Sequence, residues 1–277
     1  MSSPGGPARR LAGLTAALQE HRGRLAERHP KPAEIIRFAL APDTIDRCFA
    51  VAAQIFITAI PMAIAVSAFL PSALRDRVRR SVSDQLGIEG AASQAVSAFF
   101  DGEDSLRDAI GVIGLLVALI SATSLTRRLQ RIYEHQWRLP PGRMASSAGR
   151  WALWIVVWVA VLAAQGPVRS GRGALLVVGW AASATMSVLL WWWTPHLLLL
   201  RRVGWRALAP TALLTGLGQA AVGLGSRAVM PTVTGRSVSE YGPFGLVLSL
   251  MTWLLVVAGV IVIGAGAGRI LRPAAAG

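Results

Sequence analysis

The chain has 277 residues, of which 53% are hydrophobic and only 15% are charged. Soluble globular domains carry about 25% charged residues, so this composition argues against an ordinary soluble protein. The net charge of +14 comes from 28 basic residues, all but one of them arginine, against 14 acidic ones. Because the basic residues lie in short blocks between long uncharged runs, we interpret them as loops that orient membrane helices rather than as a nucleic-acid surface.

The first 34 residues form a basic tail that we expect to be cytoplasmic. Its leucines fall near one face of a helix, which leaves open whether the tail lies on an anionic membrane surface or is a solvated helix. A second short amphipathic piece, residues 34–47, leads into the first long apolar run. Because that run begins only near Cys48, we expect no cleavable signal peptide. Cys48 is the one cysteine, so no intramolecular disulfide or CxxC motif can form.

Six uncharged runs follow, each close to the roughly 20 residues that a helix needs to cross a bilayer. We expect Pro61 to bend the first span and Pro195 to end the fourth. The predicted fold is an all-α polytopic membrane protein, with a membrane domain over residues 35–270 and a C-terminal tail over 271–277. The six predicted spans cover residues 48–70, 109–125, 151–168, 173–195, 207–226 and 242–267.

Residues 71–107, between the first two spans, form the one sizeable segment outside the membrane. Leu74, Val78, Val82 and Leu86 recur at every fourth position, which predicts an amphipathic helix. Gly87 is expected to end this helix, and a second one is expected to follow. We therefore predict an external helical module on the side opposite the termini.

The distribution of arginine predicts the orientation of the chain. Nineteen basic residues lie in the N-terminal tail, in loops 126–150 and 201–206, and at the C-terminus, whereas nine lie in the alternate loops. Because basic loops stay inside, both termini are predicted to be cytoplasmic. Most of the tryptophans cluster near the same predicted interface, as in an aromatic belt.

Motifs along three stretches resemble those of a known family. In the first two spans they are Ala59-Ile60-Pro61 and Ser121-Ala122-Thr123-Ser124-Leu125, the latter followed by Tyr133 and Trp137. The third and most specific stretch combines Val203-Gly204-Trp205-Arg206 and Pro210 with Tyr241-Gly242-Pro243-Phe244-Gly245 and Gly264-Ala265. In their order and spacing these elements resemble the YihY/BrkB family of bacterial inner-membrane proteins, also labelled virulence factor BrkB.

The resemblance implies an inner-membrane location and a six-helix fold, but no defined molecular role. The sequence departs from the family pattern at three places. Gln54-Ile55-Phe56 replaces a tyrosine pair, Thr211 stands where a glycine follows Pro210, and Gly266 stands where a glutamate follows Gly264-Ala265. If that glutamate couples transport in relatives, the activity of this chain differs from theirs.

No Asp, Glu, Lys or Arg lies within any predicted span. Intramembrane ionisable groups mark proton relays and coupled transport sites, so their absence argues against an ion-coupled transporter. The remaining polar side chains, such as Gln54, Thr58, Ser121, Thr123 and Ser124, favour one of two roles. They either pack helices together, as does the Gly264-x3-Gly268 pair, or line a cavity for a lipid or another amphiphile.

The sequence predicts no enzymatic activity, no cofactor and no metal site. His196 is the one histidine that could act with a membrane serine, but it follows Pro195 in a predicted interfacial connector and no Gly-x-Ser-x-Gly element is present. The family has at times carried a ribonuclease label, but this sequence gives the label no support. Glu134 is the lone carboxylate of its predicted loop, whereas metal-dependent phosphodiester cleavage requires a cluster of ligands.

We therefore expect an uncoupled permease or a lipid-handling protein. The alternative is a non-transporting envelope protein that binds a partner through residues 71–107. The expected partner is the bilayer itself, with anionic headgroups at the arginine-rich loops. Arg206, beside Trp205, is expected to anchor the chain at the headgroup interface. Self-association is left open, and the sequence indicates neither a substrate nor nucleic acid as a partner. The candidate positions are Gln54, Thr58, Pro61, Ser121, Thr123, Ser124, Trp137, Trp205, Arg206, Pro210, Tyr241, Gly242, Gly245 and Gly264.

Reporter fusions test the predicted topology. Alkaline phosphatase is active only outside the cytoplasm, so fusions after residues 105 and 235 are expected to be active and a fusion after residue 145 inactive. The reverse pattern would overturn the orientation.

Overall fold

A computed structural model describes residues 30–69, 71–86, 104–142, 148–168 and 174–272. Within them the chain is helical, in agreement with the predicted fold class. The predicted tail up to residue 29 and the module residues 87–103 lie outside the described residues. The described helices are α1 (Pro30–Ala39), α2 (Pro42–Phe69), α3 (Ser72–Leu86), α4 (Asp104–Gln136), α5 (Ala148–Val168), α6 (Ala174–Leu198), α7 (Trp205–Tyr241) and α8 (Pro243–Leu271).

Three stretches of these helices are long and apolar enough to cross a membrane. They are Pro42–Ala63, Trp205–Tyr241 and Phe244–Leu271, and they match the first, fifth and sixth predicted spans. A shorter apolar helix, Gly149–Gln165, matches the third. The second and fourth predicted spans are helical, within α4 and α6. The described residues thus give three candidate spans, and the count of six stays a prediction.

Two helices continue well past the ends predicted for their spans. Helix α4 runs on to Gln136, so Glu134 belongs to its last turn rather than to a loop. Helix α7 runs through the predicted loop 227–240 to Tyr241. Its distal half buries Met230 and Thr234, which are four residues apart and therefore share a face that packs against the bundle. Charge marks the end of an apolar run, but it does not end a helix.

The prediction that Pro195 ends the fourth span is wrong. Helix α6 continues to Leu198, and the chain turns only at Leu199 and Leu200. A proline removes one hydrogen bond from a helix interior. Here Leu198 and Leu199 are fully buried in the core, and this burial accounts for the additional helical residues. His196 is consequently helical rather than part of a connector.

The six long helices form a closed bundle. Helix α2 packs against α4, α4 against α5, α5 against α6, α6 against α7, α7 against α8, and α8 against α2. Aromatic and aliphatic side chains of the main core concentrate where α4 and α6 end and where α5 begins. That end of the bundle includes the buried residues Tyr133, Trp137, Trp151, Trp154, Trp191, Leu198 and Leu199. We call it the basic end, because Arg47, Arg128, Arg131, Arg138, Arg202 and Arg269 also lie there.

Helix α3 is amphipathic, as its fourfold spacing predicts. Leu74 and Val78 pack against Met62 of α2 and against Val159 and Ala163 of α5. Arg77 and Arg80 are exposed. The described part of the helix extends to Leu86, and the break expected at Gly87 lies outside the described residues.

Small residues bring α7 and α8 into close contact. A Cβ atom added at Gly264 would overlap Thr215 Oγ1, and one at Gly268 would overlap Thr211 Oγ1. The packing role predicted for the Gly264-x3-Gly268 pair is therefore confirmed. Between them, a Cβ at Gly266 would overlap the Phe38 ring of α1. The side chain of Phe38 thus occupies the space where the resemblance leads one to expect a glutamate.

Alanine substitution tests this close packing. Gly268→Ala is expected to destabilise the bundle by about 1–3 kcal/mol because it overpacks a tight contact. Gly259→Ala is the matched control, since a Cβ at that position of the same helix meets nothing within 4 Å. The measurement is the midpoint of thermal unfolding in detergent, followed by tryptophan fluorescence. Equal midpoints for the two variants would contradict the assigned contact.

Candidate functional site

Two of the polar residues predicted in the first two spans, Thr58 and Ser121, meet at the α2–α4 interface. Thr58 Oγ1 donates a hydrogen bond to Gln54 O at 2.7 Å and lies 3.4 Å from Ser121 O. Thr123 Oγ1 donates to Ile120 O at 2.8 Å, whereas Ser124 is exposed. The structure thus brings Thr58 and Ser121 together, with the Thr58 hydroxyl bonded to backbone carbonyls. Helix α2 continues through Pro61 to Phe69.

Polar side chains in the later helices are used in the same way. Ser187 Oγ donates to Gly216 O at 3.0 Å, and Gln219 Nε2 donates to Val257 O at 3.0 Å, so each joins two helices. Ser249 and Thr252 bond to carbonyls of their own helix. These contacts favour the packing role over a polar-lined cavity at these positions.

The Trp205 motif forms the start of α7 at the basic end. The His196 ring stacks on the Trp205 ring with centroids 3.9 Å apart, and Trp192 Nε1 donates to Trp205 O at 2.9 Å. Arg206 is exposed, and Pro210 is half-buried within the second turn of the helix. These contacts give Trp205 a structural role in holding the α6–α7 connection.

The Tyr241 motif lies at the opposite end of α7 and forms the turn into α8. Gly242 has a φ of 61°, a conformation that favours glycine. A Cβ atom at Gly245 would overlap the Ser237 carbonyl, and Tyr241 is exposed. Gly264, Trp137 and the Trp205 motif lie elsewhere, so the fourteen predicted positions do not form one site.

A buried carboxylate organises the basic end. Glu134 Oε1 accepts hydrogen bonds from Gln130 Nε2 at 3.0 Å and from the Gly142 backbone N–H at 2.9 Å, and it forms an ion pair with Arg202. Arg202 also donates to Pro140 O at 2.6 Å and to Leu199 O at 3.1 Å. This network, the Glu134 node, joins the end of α4 to the α6–α7 connection.

Two adjoining cavities open at the basic end, between the start of α2 and the ends of α4 and α8. The first lobe has a volume of about 260 Å³, and the second a volume of about 330 Å³. Arg47 and His135 line both lobes. The first is also lined by Phe38, Ala41, Asp43, Thr44, Gln136, Arg138 and Arg269, and the second by Ala50, Arg128, Arg131 and Ile132. We call them together the basic cavity pair.

The basic cavity pair has unused donors. Five arginines and one carboxylate, Asp43, line it, and no described carboxylate forms an ion pair with any of these arginines. Gln136 Nε2, Arg128 Nε and Arg269 Nε are buried and find no hydrogen-bond partner among the described residues. Arg47 Nη2 lies 2.9 Å from His135 Nε2. Such a set of donors fits an oxyanion, because guanidinium groups bind phosphate through paired N–H bonds.

The described residues contain no group of three His, Cys, Asp or Glu side chains able to hold a metal ion. Tyr133, beyond the predicted second span, has a buried hydroxyl without a partner among the described residues. Burial raises the pKa of Tyr133, so its phenol stays neutral at physiological pH. The described side chains that line the cavities at the basic end offer hydrogen-bond donors and positive charge.

Comparison with known proteins supports the resemblance seen in the sequence. Residues 44–272 match the family model described as "Virulence factor BrkB". This match covers most of the chain. The chain belongs to the BrkB family. It matches no curated protein and no solved structure.

Most of the basic cavity pair lies inside the BrkB match. Phe38, Ala41 and Asp43 precede the match, whereas the five arginines and His135 fall within it. None of these five arginines is among the fourteen positions predicted from the sequence. Their position beside the ends of three apolar runs could have indicated a shared site, since the predicted topology puts all three ends on one face of the membrane.

A double-mutant cycle tests the Glu134 node in this BrkB protein. Arg202→Gln is expected to destabilise the chain, because it leaves a carboxylate with only 6% of its side chain exposed without its counter-charge. Glu134→Gln combined with Arg202→Gln should cost less than the sum of the single changes, with a coupling of about 1–3 kcal/mol. Thermal unfolding of the four proteins in detergent measures the cycle. Additive effects would contradict the ion pair.

Proposed function

We propose that this chain is a non-enzymatic lipid-handling protein of the bacterial inner membrane, which binds the phosphate groups of anionic amphiphiles in the basic cavity pair. The observation that carries the proposal is the set of five arginines around two adjoining cavities without a described carboxylate partner. Membership of the BrkB family and the three apolar candidate spans support a location in the membrane.

The position of the cavities relative to the apolar helices supports a headgroup as the ligand. Arg47 directly precedes the uncharged part of α2, and Arg269 follows that of α8. Residues at such boundaries lie at headgroup depth, and basic pockets between helices on the cytoplasmic side are a recognised form of lipid binding site. With the predicted topology, the basic end faces the cytoplasm.

Exposed apolar side chains near the first lobe support an amphiphile rather than a soluble anion. Ile36 and Leu40, beside Phe38, are 55% and 65% exposed, and Ile45 and Phe49 flank Arg47 on α2. Acyl chains would cover such side chains, which are costly to expose to water.

Uncoupled transport remains part of the proposal, whereas ion coupling does not. The polar side chains of the described spans bond largely to backbone, and the predicted spans contain no charged residue. The alternative is a partner-binding role for residues 71–107. Helix α3 is the described part of this module, and it packs on α2 and α5. The remainder of the module lies outside the described residues, and this alternative stays a prediction.

Lipid analysis of the purified protein tests the proposed function. The full chain, extracted from its membrane in neutral detergent, is expected to retain phosphate-bearing anionic lipids at a higher fraction than the membrane contains. Arg47→Gln combined with Arg131→Gln should reduce this enrichment about tenfold, because both arginine side chains line the cavities and would bind a phosphate group there.

The matched control removes two charges from the same end of the bundle. Arg127 Cζ lies 4.7 Å from the centroid of the Trp151 ring, and Arg201 is exposed in the α6–α7 connection. Neither residue lines the basic cavity pair. Arg127→Gln combined with Arg201→Gln should keep the enrichment. Absence of enrichment in the unmodified protein, or equal loss in both double variants, would contradict the proposal.

A further inference from the structure

The basic cavity pair has two lobes, and this division points to a particular class of ligand. Arg47 and His135 line both lobes, with Arg47 Nη2 and His135 Nε2 2.9 Å apart. This residue pair therefore forms the shared boundary. On one side lie Arg138, Arg269 and Gln136, and on the other lie Arg128 and Arg131. Each lobe thus has its own arginines in addition to the shared one.

Each lobe also has an unused buried donor. Gln136 is only 5% exposed and lines the first lobe, where its Nε2 has no hydrogen-bond partner among the described residues. Arg269 Nε in the first lobe and Arg128 Nε in the second are likewise buried and have no hydrogen-bond partner among the described residues. A buried donor without a partner is costly, and residues that line both lobes thus carry donor capacity that no described group uses.

Resting on the proposed function, we infer that the basic cavity pair binds one amphiphile with two phosphate groups joined by a short polyol linker, one phosphate in each lobe. This chemistry is that of a diphosphatidylglycerol lipid. A single phosphate would leave one set of arginines without a counter-charge. Pyrophosphate lacks the acyl chains that would cover the exposed apolar side chains of Ile36 and Leu40 beside the first lobe.

The size of the lobes agrees with this assignment. At about 260 and 330 Å³, each is several times the roughly 30 Å³ that a water molecule occupies in the liquid. Each therefore has room for a phosphate group with some of its hydration. The apolar lining is limited to residues such as Phe38, Ala50 and Ile132, which leaves the acyl chains outside, along the exposed apolar face of the helices.

Binding of defined lipids to the full chain in neutral detergent tests the inference. Native mass spectrometry would compare diphosphatidylglycerol with phosphatidylglycerol, which carries one phosphate, and with inorganic pyrophosphate and phosphate. We expect one diphosphatidylglycerol per chain, bound at least about tenfold more tightly than phosphatidylglycerol, because the second phosphate binds intramolecularly. The inorganic anions should compete weakly.

One variant for each lobe makes the test specific. Arg138→Gln acts on the first lobe and Arg131→Gln on the second; both side chains are exposed, so neither change threatens folding. Each should lower the affinity for diphosphatidylglycerol about tenfold, towards that of phosphatidylglycerol, and should change phosphatidylglycerol binding less than about threefold, since the other lobe remains. The control Arg127→Gln should change neither.

The outcomes separate this inference from the proposed function. Equal affinity for the one-phosphate and two-phosphate lipids, or equal losses for both lipids in the lobe variants, would overturn the two-lobe assignment while the anionic enrichment stands. Tight binding of pyrophosphate without lipid would show a soluble-anion site and overturn it as well. Absence of binding to any anionic lipid would overturn both proposals.

Discussion

The exclusion of charge from hydrocarbon determines where this chain keeps its polar chemistry. An arginine at the centre of a bilayer costs at least about 2.5 kcal/mol, and the predicted spans contain no charged residue. Arginines therefore collect at the helix ends. At the basic end, α2 packs against both α4 and α8, so charges that are distant in sequence come to line the same two cavities. The site is a consequence of charge exclusion combined with this helix arrangement.

The sequence predicts where apolar helices exist better than where they end. The uncharged runs around residues 48–70, 207–226 and 242–267 correspond to apolar candidate spans, because composition alone determines their partition into lipid. Helix ends follow backbone hydrogen bonding and packing instead. Thus α7 continues past Arg227 to Tyr241, and α6 continues past Pro195 because Leu198 and Leu199 are buried. Hydropathy contains no information about those contacts.

The candidate site was less predictable than the fold. Polar residues inside the spans, such as Thr58 and Ser187, are conspicuous in the sequence, but their hydroxyls bond to backbone carbonyls. The family-like glycines predict close packing correctly, since Gly264 and Gly268 face Thr215 and Thr211. The cavity arginines lie on three helices whose adjacency is a tertiary property. The sequence predicts that they lie at the same face of the membrane, but it does not show that they meet.

Helix dipoles account for only part of this arginine cluster. Cations are stabilised by about 0.3–1 kcal/mol each near helix C-termini, which favours Arg269 in the last turn of α8, whereas Arg131 precedes the last turn of α4. Arg47 lies near the start of α2, where the dipole has the opposite sign. Arg202, by contrast, has a buried carboxylate partner in Glu134. Arg202, which joins α4 to the α6–α7 connection, thus has a carboxylate partner within the chain. Arg47, between the two lobes, has no described counter-charge. The anion that we propose as ligand would supply the charge that neither the dipoles nor the described carboxylates provide there.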